Sequence, residues 1–174
     1  GKLAREYNVI RCREASYEEL MAALAGIGGR KLASNYGLEP RLGKYYRTFC
    51  SACAYIAQEP GPIFTCPRCD SDQVVLGVRD RIDFIADWDQ AHSPPGRPPY
   101  NYQIPLEFIP GIGPRTLARV LSTFGTEMNV LHNTSPQELA KALGERLARR
   151  IVQAREGRLP IIPGGGGKYG RICL

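Results

Sequence analysis

The chain has 174 residues, room for one domain or two small ones, and its 43% apolar content excludes disorder as the default. No apolar run approaches the roughly 20 residues of a membrane helix and no signal-peptide pattern opens the chain, so the simplest expectation is a cytoplasmic protein without a membrane partner. The net charge of +6 is uneven: residues 1–49 sum to +4, residues 50–103 to −3 and residues 104–174 to +5, which favours a polyanion partner for the last third.

The start at Gly1 reads as mid-protein sequence, so a fragment is expected. Residues 1–49 read as an α/β piece without a complete core of its own. Tyr7-Asn-Val-Ile10 suits a strand. Ser16-Tyr-Glu-Glu19 is a capping-box pattern that starts a helix with Leu20, Ala23 and Leu24 on one face. Gly26-Ile-Gly-Gly29 ends it, and Lys31 to Tyr36 suits a second strand. The turn-rich connector that follows carries Arg41, Lys44 and Arg47, which are either phosphate contacts or surface charges.

Cys50-x2-Cys53 and Cys66-x2-Cys69 carry the most specific chemical signal. Two such knuckles can bring four thiolates to the corners of a tetrahedron around Zn²⁺. Pro60-Gly61-Pro62 marks a turn between them, so the region reads as a zinc ribbon. Iron could occupy the same four sulfurs, and disulfides would need an oxidising compartment. A four-Cys site leaves no open position, so the metal is expected to be structural. Cys12 and Cys173 fall outside the spacing.

Val74 to Val78 suits a strand, with a helix from Asp80 to about Asp89. Asp80, Asp83, Asp87 and Asp89 with His92 invite a hydrolytic metal site. The spacing instead puts Asp80, Asp83 and Asp87 on one helix face and Ile82, Ile85 and Ala86 on another, which predicts a solvated acidic face. Trp88 is expected in a core or an interface. Ser93-Pro-Pro-Gly-Arg-Pro-Pro99 is an extended linker.

The last third reads as all-helical. Pro105 to Phe124 predicts a short helix, a hairpin at Pro110-Gly111-Ile112-Gly113 and a longer helix from Pro114. Free N–H groups and the helix dipole at such a start suit a phosphate. Leu117, Val120, Leu121 and Phe124 should face a core, while Arg115 and Arg119 lie elsewhere on the helix. Thr126 is placed to cap a helix, and Ser135-Pro-Gln-Glu138 is a second capping box. A second helix–hairpin–helix follows with Leu139, Leu143, Leu147 and Ile151 inward and Arg146, Arg149 and Arg150 outward. Its hairpin, Gly144-Glu145, lacks the Gly-x-Gly pattern and carries a carboxylate that opposes phosphate. The tail Gly164-Gly-Gly-Gly-Lys-Tyr-Gly-Arg171 reads as mobile, with Lys168, Tyr169 and Arg171 able to dock on nucleic acid.

Taken together, Gly37 to Cys50, the two CxxC pairs, Ile104-Pro-Leu-Glu-Phe-Ile-Pro-Gly-Ile-Gly113, Phe124 to Leu131 and Gly164 to Gly170 resemble the C-terminal half of the endonuclease Q family. The resemblance implies an α+β chain: residues 1–49 end a polymerase/histidinol-phosphatase-type phosphoesterase (PHP) domain, and 50–92 form a zinc ribbon with the following strand and helix. A Pro-rich linker at 93–103, an all-α double helix-hairpin-helix domain at 104–157 and a Gly-rich basic tail at 158–174 complete it. It implies a DNA repair hydrolase that nicks 5′ to deaminated bases (uracil, hypoxanthine, xanthine) or abasic sites using divalent metal ions. The family's catalytic metal motifs are absent from these residues, so no catalytic residue is assigned. The expected DNA contacts are Gly111, Ile112, Gly113, Arg115, Thr116, Arg119, Lys168, Tyr169 and Arg171, and the expected structural Zn²⁺ ligands are Cys50, Cys53, Cys66 and Cys69. No small-molecule cofactor is expected. The alternatives are a stand-alone DNA- or RNA-binding module and an adaptor whose ribbon binds protein.

Overall fold

The computed structural model describes residues 6–59 and 61–173. Residues 1–5 of the expected phosphoesterase remnant, the Pro60 of the expected turn and Leu174 of the expected tail lie outside them. The described residues form a mixed α/β assembly of six helices and three small sheets. Among the described residues no helix is long and apolar enough to cross a membrane.

Strand β1 (Glu6–Arg11) pairs antiparallel with β2 (Lys31–Leu38), and helix α1 (Tyr17–Leu24) connects them. The expected capping box is half made. Ser16 accepts the Glu19 N–H at 3.3 Å, but the Glu19 carboxylate instead takes the Arg13 N–H and the Arg30 guanidinium. Of the apolar residues expected on one face of α1, Ala23 is buried, while Leu20 and Leu24 are exposed.

Tyr7 sits opposite Tyr36 across the pair and stacks on it, and Tyr36 meets His132 edge-on. The Tyr7 hydroxyl donates to Met128 Sδ. Burial and then Tyr36 push this hydroxyl up to about 12. The aromatic column seats the sheet on the helical region.

The knuckle region is framed by β3 (Phe49–Cys50) and β4 (Val74–Val75), which pair antiparallel. The expected strand to Val78 stops there because the next helix, α2 (Val78–Ile85), has already begun. The expected solvated acidic face of α2 is wrong at Asp80, in its first turn. Asp80 is 0% exposed, whereas Ile82, Phe84 and Ile85 are exposed. Asp80 Oδ2 accepts the Thr48 N–H at 2.7 Å, and Oδ1 lies 3.0 Å from Arg47 Nε. The Thr48 hydroxyl in turn accepts the Gly77 N–H. A buried carboxylate with a cation and an N–H donor can outweigh the amphipathic pattern. Trp88 is not in the core: it is 70% exposed, with its ring 4.7 Å from that of His92.

Residues after the Pro-rich segment return to the first sheet as β5 (Tyr100–Gln103), parallel to β2. The helical region follows: a 3₁₀ turn (Leu106–Phe108), α3 (Pro114–Phe124), α4 (Glu127–His132), α5 (Pro136–Leu143) and α6 (Glu145–Arg155). Thr126 caps α4, and the Ser135/Glu138 capping box is complete. The core holds Ile104, Leu106, Ile109, Val120, Val130, Leu139 and Ile151. It also takes in Leu42 from the connector and Leu159 and Ile172 from the tail.

The expectation of a mobile tail is corrected. Strands β6 (Ile161–Ile162) and β7 (Arg171–Ile172) pair antiparallel, and the glycines between them lie against residues 41–49. The Gly164 and Gly170 N–H groups donate to Arg41 O and Leu42 O, and Arg47 N–H donates to Gly164 O. A Cβ on Gly164 would stand 2.3 Å from Gly43 O, and one on Gly166 2.2 Å from the Phe49 ring. The glycine run is a seam through which two backbones touch.

Candidate metal centre and nucleic-acid interface

The two CxxC turns are built alike. Cys50 O accepts the Ala54 N–H and Cys66 O accepts the Asp70 N–H, each at 2.9 Å. Ala54 and Asp70 both take positive φ, 59° and 56°, which folds each turn back on itself. The four sulfurs of Cys50, Cys53, Cys66 and Cys69 all lie within 4.8 Å of one another. Cys50 and Cys69 are 3.7 Å apart and Cys53 and Cys66 3.6 Å, so neither pair is bonded. A tetrahedral ion with bonds of about 2.3 Å has S–S edges of about 3.8 Å. The donor set therefore fits a four-thiolate metal centre. Burial raises the Cys66 thiol, but the Arg68 and Cys69 N–H groups and neighbouring thiols outweigh it and bring it down to about 7.

The first hairpin is held from three sides. Ile112 is buried, and its N–H donates to Ile109 O at 3.0 Å. Arg150, expected outward, is half-buried and donates from Nη1 to Pro110 O at 2.6 Å. Glu127 is buried and accepts the Leu106 N–H at 2.6 Å, which ties α4 to the turn before the hairpin. These two braces were missed: Arg150 sits among arginines of similar spacing, and Glu127 reads as an ordinary first-turn acid.

The two hairpin glycines differ. Gly111 has φ +96°, and a Cβ there would lie 2.9 Å from Leu147 Cδ2. Gly113 is the N-cap of α3, has φ −82° and would meet nothing within 4 Å. It offers no side chain to cap the helix, and Pro114 has no N–H. The first-turn N–H groups of Arg115 and Thr116 have no intrahelical partner.

Of the expected DNA-contact residues, Gly111, Gly113, Arg115 and Arg119 are exposed, Thr116 is half-buried and the Ile112 side chain is in the core. Arg115 and Arg119 share α3 with the hairpin. Lys168, Tyr169 and Arg171 are exposed on the folded tail. Tyr169 meets Phe108, on the turn before the hairpin, edge-on at 5.6 Å. The tail therefore lies beside the hairpin, a proximity no local pattern announces. The second hairpin turns at Gly144, φ +82°, with Glu145 exposed at the start of α6.

A four-thiolate knuckle joined to a tandem of helix-hairpin-helix units defines the class. Residues 104–156 match the SAM-like helix-hairpin-helix tandem family. Over 172 residues the chain is 43% identical to the uncharacterized protein YqxK of Bacillus subtilis, covering 99% of this chain and 43% of that protein. It is 35% identical over 191 residues to the uncharacterized protein MJ0043 of Methanocaldococcus jannaschii, covering 99% of this chain and 24% of that one.

Among solved structures it is similar to the lesion-specific endonuclease PfuEndoQ from Pyrococcus furiosus, with a TM-score of 0.80 and 35% identity over 99% of this chain and 45% of that one. It is also similar to endonuclease Q in complex with a 27-mer duplex substrate with an abasic lesion at the active site, with a TM-score of 0.79 and 36% identity over 98% and 45% of the two chains. The resemblance to endonuclease Q thus runs through the fold from end to end, and the chain spans less than half the length of each of these proteins.

Proposed function

We propose that this chain is the DNA-holding part of a repair endonuclease of the endonuclease Q kind, one that nicks DNA 5′ to deaminated bases or abasic sites. The observation that carries this reading is the likeness, over nearly the whole chain, to an endonuclease Q bound to a lesion-bearing duplex. The hairpin supplies a physical means. The N–H groups at the start of α3 are uncapped and the space at Gly113 is open, so a phosphate would fit there, with Arg115 and Arg119 adding charge from the same helix. Such contacts read no base and so suit a protein that must hold DNA wherever damage lies.

Zinc is the proposed ion for Cys50, Cys53, Cys66 and Cys69, because a closed four-thiolate set suits a structural Zn²⁺. Iron is the alternative that elemental analysis separates. The nicking chemistry, and the divalent ions it needs, are proposed to belong to the part of the longer relatives that this chain does not cover.

The test is binding of the chain to a labelled duplex, measured by fluorescence anisotropy. Gly113→Glu puts a carboxylate where the phosphate would sit without touching a packed atom. The expected result is at least a tenfold loss of affinity, the size of a lost charge-assisted contact of about 1.5–3 kcal/mol, with an unchanged melting temperature. Unchanged affinity would remove the hairpin from the interface. In the same chain, no nicking of uracil, hypoxanthine or abasic duplexes is expected with added Mg²⁺ or Mn²⁺. Cleavage would place the catalytic residues within these 174.

A further inference from the structure

We propose that Lys44 and Lys168, grouped around Tyr169, make a second backbone contact on the same DNA duplex that the hairpin holds; the idea rests on the reading of the hairpin given above. The connector carries three cations whose roles the sequence left open. The structure separates them. Arg41 Nε is 2.7 Å from Glu39 Oε1, and Arg47 Nε is 3.0 Å from the buried Asp80. Both charges are already matched by carboxylates. Lys44 is exposed, and among the described residues it forms no ion pair; its Nζ lies 4.8 Å from the centre of the Tyr169 ring. Lys168 is exposed and likewise forms no ion pair among the described residues.

The glycine seam brings these groups together. Gly167 N–H donates to Lys44 O at 3.1 Å, and Gly165 pairs with Lys168 across a tight turn. The turn cannot shift outward without losing the Arg41, Leu42 and Arg47 backbone bonds to Gly164 and Gly170. Lys168 and Tyr169 are therefore presented at a fixed place. Tyr169 also meets Phe108, whose turn leads into the hairpin, so the two surfaces are continuous. Two exposed lysines without a carboxylate partner among the described residues, carried on adjoining backbone of one seam, favour a phosphate nearby. A long polyanion can reach both this surface and the hairpin, which a small anion cannot.

The experiment compares duplex binding by the wild type, the Lys44→Gln/Lys168→Gln double variant and Lys31→Gln, an exposed lysine at the start of β2, across a salt range of about 50 to about 200 mM. Neither substitution in the double variant reaches the core. Each lost phosphate contact lowers the salt slope by about 0.9, so the double variant should lose about 2 in slope and about tenfold in affinity at the lower salt. Lys31→Gln should bind like the wild type. A double variant with wild-type slope and affinity overturns the proposal, as does an equal loss in Lys31→Gln. Gly113→Glu separates the two readings. If it abolishes binding while the double variant does not, the hairpin stands and the second contact falls. If the double variant weakens binding while Gly113→Glu does not, the Lys44–Lys168 surface stands and the hairpin reading falls.

Discussion

Gly111 and Gly113 are two residues apart and answer to different constraints. Gly111 is required by its own fold, because its φ is +96° and Leu147 closes on it. Gly111→Ala should destabilise the chain by about 1–3 kcal/mol, readable as a lower melting temperature, whereas Gly113→Ala should change stability by less than about 1 kcal/mol. Asp80 poses a sharper test. Asp80→Ala leaves the Arg47 guanidinium, 15% exposed, without its carboxylate and should cost about 3–5 kcal/mol in chemical denaturation.

Glu19 gives the acid response. The Arg30 guanidinium, and then the Arg13 N–H, hold its carboxyl at about 2 against an ordinary 4.5. The folded state thus favours the ionised form, and the unfolded state binds the proton first. The contribution is complete above about pH 4.5 and is lost as the pH falls towards 2. The stability advantage of the wild type over Glu19→Gln should shrink across that window in melting curves taken at successive pH values.

Among the elements, the two knuckles are the ones that a bound metal ion would stabilise most. Among the described residues they are joined by turns and one two-residue strand pair, and none of residues 50–75 enters the main apolar core. Chelation should raise amide exchange across residues 50–75 far more than across 104–157, where a core of buried aliphatic side chains remains. The elements also show where reading along the chain succeeds. The knuckle spacing, the Ser135 capping box, the Thr126 cap and the α3 core face were legible because each is set by residues within a few positions of one another. Helix α2 was misread because its orientation is set by Thr48 and Arg47, about thirty positions away, and a paired buried acid looks like a solvated one in a periodicity pattern. Arg150 and Glu127 escaped notice for the same reason: each satisfies a backbone group of a distant turn.

For the whole molecule, the tail was the least legible part. Four glycines carry no periodicity and match loose chain as well as close packing, and only the opposing backbone at Arg41, Gly43 and Leu42 distinguishes the two. The seam has a consequence for the order in which this chain is made. Leu42, 0% exposed, shares its core with Ile172, far along the chain. During synthesis the segment at 41–49 is made well before its partner at 164–172 and stays unseated until that partner has emerged. A chain stopped before Gly164 would hold most of its helical core but leave residues 41–49 without the backbone that seats them.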